Sequence, residues 1–449
     1  MPRLSVDGWG ADNGGIVSDA LPIPPHANAS RYERHAGALA ATVDASEAAL
    51  REWAEALVTE ATASRSAVAD TDPSLAAERA VDRLVTSWRR SASGSERAGL
   101  AAARAFVAES HGFTTWDAFI SHVAQLGEPG SATARFEAAI DAIVGGHGSR
   151  LADLLAADPA LVGQRSDRDH RSTLLHYVAA NGVEDFRQAT PPNIVAIARQ
   201  LLDAGADVNA QSEAYGGGAT ALGLAATSLH PQRGGVQIAL LDTLLARGAW
   251  MERPGLAGNG HDAVLGCLAN GQPEAAAHLA SRGAPLQLAS AAGVGRLDIV
   301  EAKLQDAPDR AAVQQAFMYA CGYGHLQVAE RLLLAGAEPA VGDRTGETPL
   351  HWASGSHHQA VVAMLLSRGA PVDARDTTWD ATPLDWALYS HTTERDASRW
   401  ARAREVVATL LAAGAEFRPE WPGPRLTAAL QRDPAMARLL GLAAERGHA

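Results

Sequence analysis

Residues 348–370 read TPLHWASGSHHQAVVAMLLSRGA, and this stretch contains the start signal of one helix and the end signal of another. Thr348 is a residue type that caps helix N-termini, and Pro349 suits the first helical position because its missing amide would be unpaired there anyway. Gly369 follows a pair of leucines, where a helix can stop by taking a left-handed backbone conformation. The stretch therefore predicts helices separated by short turns.

Near-copies of both signals recur along much of the chain, which is the mark of a repeat architecture. The opening returns as TLLHYVA (173–179), TALGLAA (220–226) and TPLDWAL (382–388). The closing Leu-Leu-x-x-Gly-Ala pattern, or a close variant of it, ends at Gly205, Gly248, Gly283, Gly336, Gly369 and Gly414. Successive units of this kind stack and bury a shared core, so an array is predicted rather than one compact domain.

The pairing of a TPLH opening with an LLxxGA closing resembles the ankyrin repeat, which implies a hairpin followed by two antiparallel helices. The resemblance covers roughly Phe136 to Phe417, and two units, 262–283 and 288–310, depart from the pattern. Together with helices before it, the array is also similar to an uncharacterised group of bacterial ankyrin proteins. That similarity implies no specific function.

The predicted fold class is all-α, an ankyrin-repeat solenoid preceded by a helical region. Apolar residues at helical spacing, such as Leu50, Trp53 and Leu57, begin after a Gly- and Pro-rich start. The predicted limits are a flexible arm at 1–30, a helical region at 31–130, about eight repeat units at 131–420 (two of them degenerate), and a helical cap at 421–449.

Composition excludes several classes of function. The 449 residues carry a formal charge of −13, which opposes binding to a phosphate backbone, so no nucleic-acid partner is expected. No long apolar run and no leader are present, so we expect no membrane span and a cytoplasmic location. Two cysteines are too few for a disulfide framework.

No signature of a cofactor or metal site stands out. The sequence lacks a Walker loop, a G-x-S-x-G elbow and an H-E-x-x-H helix. His357 and His358 are adjacent and have no ligand at helical spacing, which disfavours a metal site. His176 and His351, at the TPLH position, are expected to tie neighbouring repeats together. We expect no cofactor and no bound metal.

Aligned on the TPLH motif, one residue of each repeat would face the concave surface of an ankyrin array. This column, which we call the aromatic column, consists of Tyr177, Leu224, Gly266, Ser290, Tyr319, Trp352 and Trp386. Exposed rings are costly in water, so we predict that a protein partner or a small hydrophobic or aromatic ligand covers them, with Trp379 nearby. The alternative is that the rings pack on neighbouring repeats as core residues.

Three loops inserted between paired helices, at 186–193, 228–235 and 391–400, are candidates for specificity or tolerated insertions. Asp385 replaces the histidine of TPLH beside Trp386, with Asp380 and His391 close in sequence. Asp385 in the first helical turn has a structural explanation, since the helix dipole favours it. The functional alternative makes these three residues the acid–base groups of a cofactor-free cyclase, isomerase or lyase. The sequence favours an interaction module, with this enzyme as the alternative.

Overall fold

The computed structural model describes residues 20–24, 27–42, 46–62, 73–92, 99–252, 262–393, 397–418 and 424–442. Most of the predicted arm, including 1–19, lies outside these residues. The described chain forms two compact units, one ending at Met251 and the other beginning at Glu252. In the described part, the only strands are two short ones, so the all-α prediction is confirmed.

The first unit opens with five helices around a core of their own. They are α1 (Ala29–Ala41), α2 (Glu47–Thr62), α3 (Pro73–Ala92), α4 (Leu100–Glu109) and α5 (Trp116–Leu126). Their apolar faces meet in a cluster that includes Tyr32, Trp53, Trp88 and Phe106. Leu21, within the predicted arm, is buried here, and its amide donates to the Ser110 carbonyl at 2.7 Å.

The rest of the first unit consists of helix pairs that continue from these five helices. Its α-helices are α6 (Ala132–Val144), α7 (Gly148–Ala157), α8 (Ile194–Asp203), α9 (Ala221–Thr227), α10 (Leu229–Arg233) and α11 (Gln237–Leu245). Its 3-10 helices span Pro159–Gly163, Leu174–Ala179, Asp185–Arg187 and Ala214–Gly216. Strands β1 (Gln211–Ser212) and β2 (Ala219–Thr220) pair antiparallel. Because α5 packs on α6, the predicted limit near residue 130 falls inside one compact unit, and that limit stays a prediction.

The second unit is built from further helix pairs. They are α12 (Ala263–Ala269), α13 (Pro273–Ser281), α14 (Leu288–Gly293), α15 (Leu297–Gln305), α16 (Arg310–Gly322), α17 (Leu326–Leu334), α18 (Pro349–Gly355), α19 (Gln359–Ser367), α20 (Pro383–Thr393), α21 (Ala397–Ala412), α22 (Pro424–Arg432) and α23 (Pro434–Leu439). The first helices of successive pairs, α12, α14, α16, α18 and α20, pack on one another in that order. The two degenerate stretches form the pairs α12/α13 and α14/α15.

Local signals explain where these helices begin and end. Thr348 and His351 form a reciprocal cap at the start of α18, with Pro349 in the first position. The closing glycines have left-handed φ angles between 80° and 97° at five positions and 99° at Gly336, conformations that other residues rarely adopt. The described residues contain eight successive helix pairs along the sequence. In the first unit they are α6 with α7, the 3-10 helix Leu174–Ala179 with α8, and α9 with α11; in the second they run from α12 with α13 to α20 with α21, and α22 and α23 follow.

Candidate functional site

Two tryptophans of the aromatic column are held by buried carboxylates. The indole N–H of Trp352 donates to Glu347 Oε2 at 2.8 Å, and that of Trp386 donates to Asp376 Oδ2 at 3.0 Å. The two rings are only 3% and 6% exposed. A buried indole needs such a partner for its N–H, so both tryptophans are satisfied as core residues. The sequence reasoning missed Glu347 and Asp376.

The rings of the column fill the space between consecutive helices. Tyr319 on α16 meets Trp352 on α18 edge to face, with ring centroids 5.4 Å apart. A Cβ atom at Gly322 would lie 3.0 Å from the Trp352 ring, a tighter contact than most, so the glycine lets α16 pack closely against that ring. Trp386 in turn meets His351 at 5.7 Å. Tyr319 and Trp352 are thus neighbours, and the enclosed rings correspond to the alternative that they pack on neighbouring repeats rather than to an open aromatic surface.

The remaining members of the column do not form an open surface either. Tyr177 and Leu224 are buried in the first unit, and Ser290 is buried in the second, where its hydroxyl bonds the backbone of Gln287. Gly266 is half-buried. Among the described residues a groove of about 410 Å³ lies between α1 and α2, beside Trp53 and Glu60, and no predicted ligand-binding residue lines it.

Trp379 differs from the rings of the column, because its side chain is 67% exposed. It lies in the loop between α19 and α20, in a turn that Asp376 organises. Asp376 Oδ1 accepts from the amides of Thr378 at 2.9 Å and Trp379 at 2.6 Å. Both oxygens of the Asp376 carboxylate thus accept hydrogen bonds. Oδ2 accepts from the buried indole of Trp386, and Oδ1 accepts from the turn that presents Trp379.

This loop is also fastened to its neighbours. Thr377 donates to the carbonyl of Thr345 in the preceding loop, through its amide at 2.7 Å and its hydroxyl at 3.1 Å. Asp380 has a left-handed φ of 50° and pairs with Arg375 at 2.7 Å. The exposed indole therefore lies on a loop whose backbone is held at several points.

The three acid–base candidates divide between two settings. Asp385 is 1% exposed and accepts from the amide and the hydroxyl of Thr382, both at 2.9 Å, and from Arg418. Asp380 is exposed and shares Arg418 with Asp385. His391 is buried at the far end of α20, 3.5 Å from Asp433, and burial lowers the pKa of its imidazole. Asp380 and Asp385 therefore lie together at Arg418, whereas His391 lies beside Asp433.

Among the described residues, Glu347 has a carboxyl group whose pKa is raised. Burial raises the pKa of Glu347 to about 7, and the nearby Asp343 and Asp376 carboxylates add to the effect. The Trp352 indole opposes it by donating a hydrogen bond. Glu347 thus changes charge near neutral pH while it is almost fully enclosed.

The histidines of the TPLH motif tie adjacent repeats together, as predicted. His176 Nε2 lies 3.2 Å from the Ala219 carbonyl, and His351 Nε2 lies 3.1 Å from the Ala381 carbonyl. Burial raises the pKa of Cys267 to about 12 and also raises that of Cys321, so neither is a reactive thiolate. Among the described residues no group of three or more His, Cys, Asp or Glu could hold a metal ion.

The first unit contains a buried ionic cluster that the sequence did not reveal. Arg187 contacts Glu137 at 2.6 Å, Asp141 at 3.1 Å and Glu184 at 3.4 Å, and Arg168 pairs with Glu184. Arg168 also donates to the His111 carbonyl at 2.6 Å. The cluster therefore joins the segment after α4 to the first repeats, and its charges are paired inside the fold.

Comparisons with known proteins agree with the geometry of the helix pairs. A family model described as "Ankyrin repeats (3 copies)" matches residues 261–376 and residues 317–419. No curated protein matches the chain. None of the helices in the described ranges has the length and apolar character needed to cross a membrane. The helix pairs, the TPLH caps, the left-handed closing glycines and this match agree, and residues 261–419 of the chain belong to the ankyrin-repeat family.

Proposed function

We propose that this protein binds a protein partner through the loops of its second unit, with Trp379 as the central contact. Ankyrin repeats mediate protein–protein interaction. The observation that carries the proposal is the 67% exposure of Trp379, the most exposed of the predicted ligand-binding rings. Tryptophan is enriched among the few interface residues that carry most of the binding energy.

The loop is prepared for binding before a partner arrives. Its backbone is held by Asp376, by the Thr377–Thr345 contacts and by the Asp380–Arg375 ion pair. A partner that covers Trp379 therefore orders few new bonds, and less conformational entropy is lost on association. An indole ring can also bury a large apolar area with only two side-chain torsions to restrict.

A small ligand in the aromatic column is the less supported reading of the same residues. Tyr319, Trp352 and Trp386 already fill the space between α16, α18 and α20. A ligand would have to displace those rings and the carboxylates that bond them. The enzyme alternative, a cyclase, isomerase or lyase, would need Asp385 to reach a substrate, whereas its carboxylate is enclosed and paired with Arg418.

A cytoplasmic location is part of the proposal. Cys267 and Cys321 are free and buried, which fits a reducing compartment.

The test uses the full chain with a photo-cross-linking amino acid at position 379, or at position 334 as the matched control. Leu334 is 81% exposed in the same unit, on the end of α17. We expect a discrete partner to cross-link from 379 and not from 334. With that partner purified, Trp379→Ala should weaken the dissociation constant by about 30-fold, the effect of losing a hot-spot residue, and Leu334→Ala should leave it unchanged. Equal cross-linking from both positions, or full affinity of Trp379→Ala, would refute the proposal.

A further inference from the structure

Glu347 and Asp376 lie at the bases of two adjacent loops, 338–347 and 371–382, and each supports the indole of the helix that follows. Asp343 belongs to the first loop, where its Oδ1 accepts from the amides of Thr345 and Glu347, at 2.9 and 3.0 Å. The two loops are joined because Thr345 accepts from Thr377. Three carboxylates thus organise two loops that are joined by hydrogen bonds.

The charged groups that raise the pKa of Glu347 are Asp343 in its own loop and Asp376 in the next. A hydrogen bond from the Thr345 side chain, like that from the Trp352 indole, lowers the pKa of Glu347. Helix α18 contributes the Trp352 indole and also His351, whose pKa is lowered by burial, and α16 contributes Tyr319, whose pKa is raised by burial. Burial and the two acidic neighbours therefore favour a neutral Glu347, and its ionisation adds a like charge to an enclosed site.

We infer that Glu347 is a proton-controlled latch for the Trp379 loop. With Glu347 neutral, the two loops remain joined and Asp376 holds the amides of Thr378 and Trp379. With Glu347 ionised, repulsion from Asp343 and Asp376 favours opening of the joined loops, and the turn below Trp379 loses its support. The consequence for partner binding rests on the proposed function: the partner should bind more tightly on the acidic side of neutrality than on the alkaline side.

The test is hydrogen exchange of the Thr378 and Trp379 amides in the full chain without any partner, corrected for the intrinsic pH dependence of exchange. Glu347 binds its proton with a pKa near 7 in the closed loop and near the ordinary 4.5 when the loop opens. The opening equilibrium should then rise about tenfold between pH 6 and pH 8. Glu347→Gln, which keeps an acceptor for the Trp352 indole, should abolish this rise.

Glu338→Gln is the matched control, because Glu338 lies in the same loop, is exposed and pairs with Arg310. It should keep the tenfold rise. Trp352→Phe supplies an independent check: without the indole donor, which favours the ionised form, the midpoint of the rise should move to higher pH. Any of three outcomes would overturn the latch. The first is equal exchange at both pH values in the unaltered chain, the second is an unchanged rise in Glu347→Gln, and the third is an unmoved midpoint in folded Trp352→Phe. Since no partner is present, these outcomes are independent of whether Trp379 is the binding contact.

Discussion

The buried carboxylate of Asp385 pairs with the partly exposed Arg418 at the position where two earlier repeats use a histidine and a carbonyl. In those repeats the histidine accepts from the capping threonine amide on one side and reaches the next loop on the other, as His351 does with Thr348 and Ala381. Asp385 accepts from the Thr382 amide in the same way. A carboxylate cannot donate to a carbonyl, and Arg418, which follows α21, supplies the cation instead. This geometry supports the structural explanation of Asp385.

Replacement of Arg418 by Ala should destabilise the protein by about 3 kcal/mol, because an enclosed carboxylate would lose its cation. In an Asp385→Asn background the same replacement should cost much less. A double-mutant cycle from denaturant unfolding measures the difference. Equal costs in both backgrounds would show that Arg418 acts through other contacts.

Replacement of Trp352 by Ala should cost about 3–5 kcal/mol, the usual range for removing a large core ring. Trp379→Ala should change the free energy of unfolding by less than about 0.5 kcal/mol, because an exposed ring leaves no cavity. Urea unfolding of the two variants checks both values. A small effect of Trp352→Ala would mean that the aromatic column is not core.

Replacement of Arg187 by Met should destabilise the first unit by about 3–5 kcal/mol, since Glu137 and Glu184 would keep their charges in a buried site. Arg296 provides the control, because it pairs with Asp298 at the surface. Arg296→Met should therefore leave the free energy of unfolding nearly unchanged, because solvent screens this exposed pair. Thermal and denaturant unfolding measure the loss of stability in each variant. Equal losses in Arg187→Met and Arg296→Met would contradict the role of the cluster.

The histidine at position 176 should make the first unit sensitive to acid. Burial lowers the pKa of His176 to about 4, from an ordinary value of 6.5. The neutral form therefore stabilises the fold above pH 6.5, and about 3 kcal/mol of this stability should be lost as the pH falls through 4. His176→Asn should be less stable at pH 7 and show a shallower loss on acidification. Unfolding free energies measured across that range test the slope, and parallel curves would exclude His176 as its source.

The pattern of helices was predictable from the chain alone because its signals act over a few residues. Thr348, Pro349 and Gly369 mark helix ends through their own backbone and side-chain chemistry, and equivalent residues do so elsewhere. The helix pairs and the tying role of His176 and His351 were therefore predicted correctly.

The candidate site was less predictable, because burial depends on neighbours far away in sequence. Trp352 and Trp379 are the same residue type in adjacent repeats, and both were expected to meet a ligand. Only the packing of α16 against α18, with Gly322 and Glu347 in place, encloses one of them, while the turn built by Asp376 holds the other in solvent. Local chemistry specifies where a helix starts and stops, whereas the exposure of a ring and the charge state of Glu347 follow from contacts that exist only after the repeats have stacked.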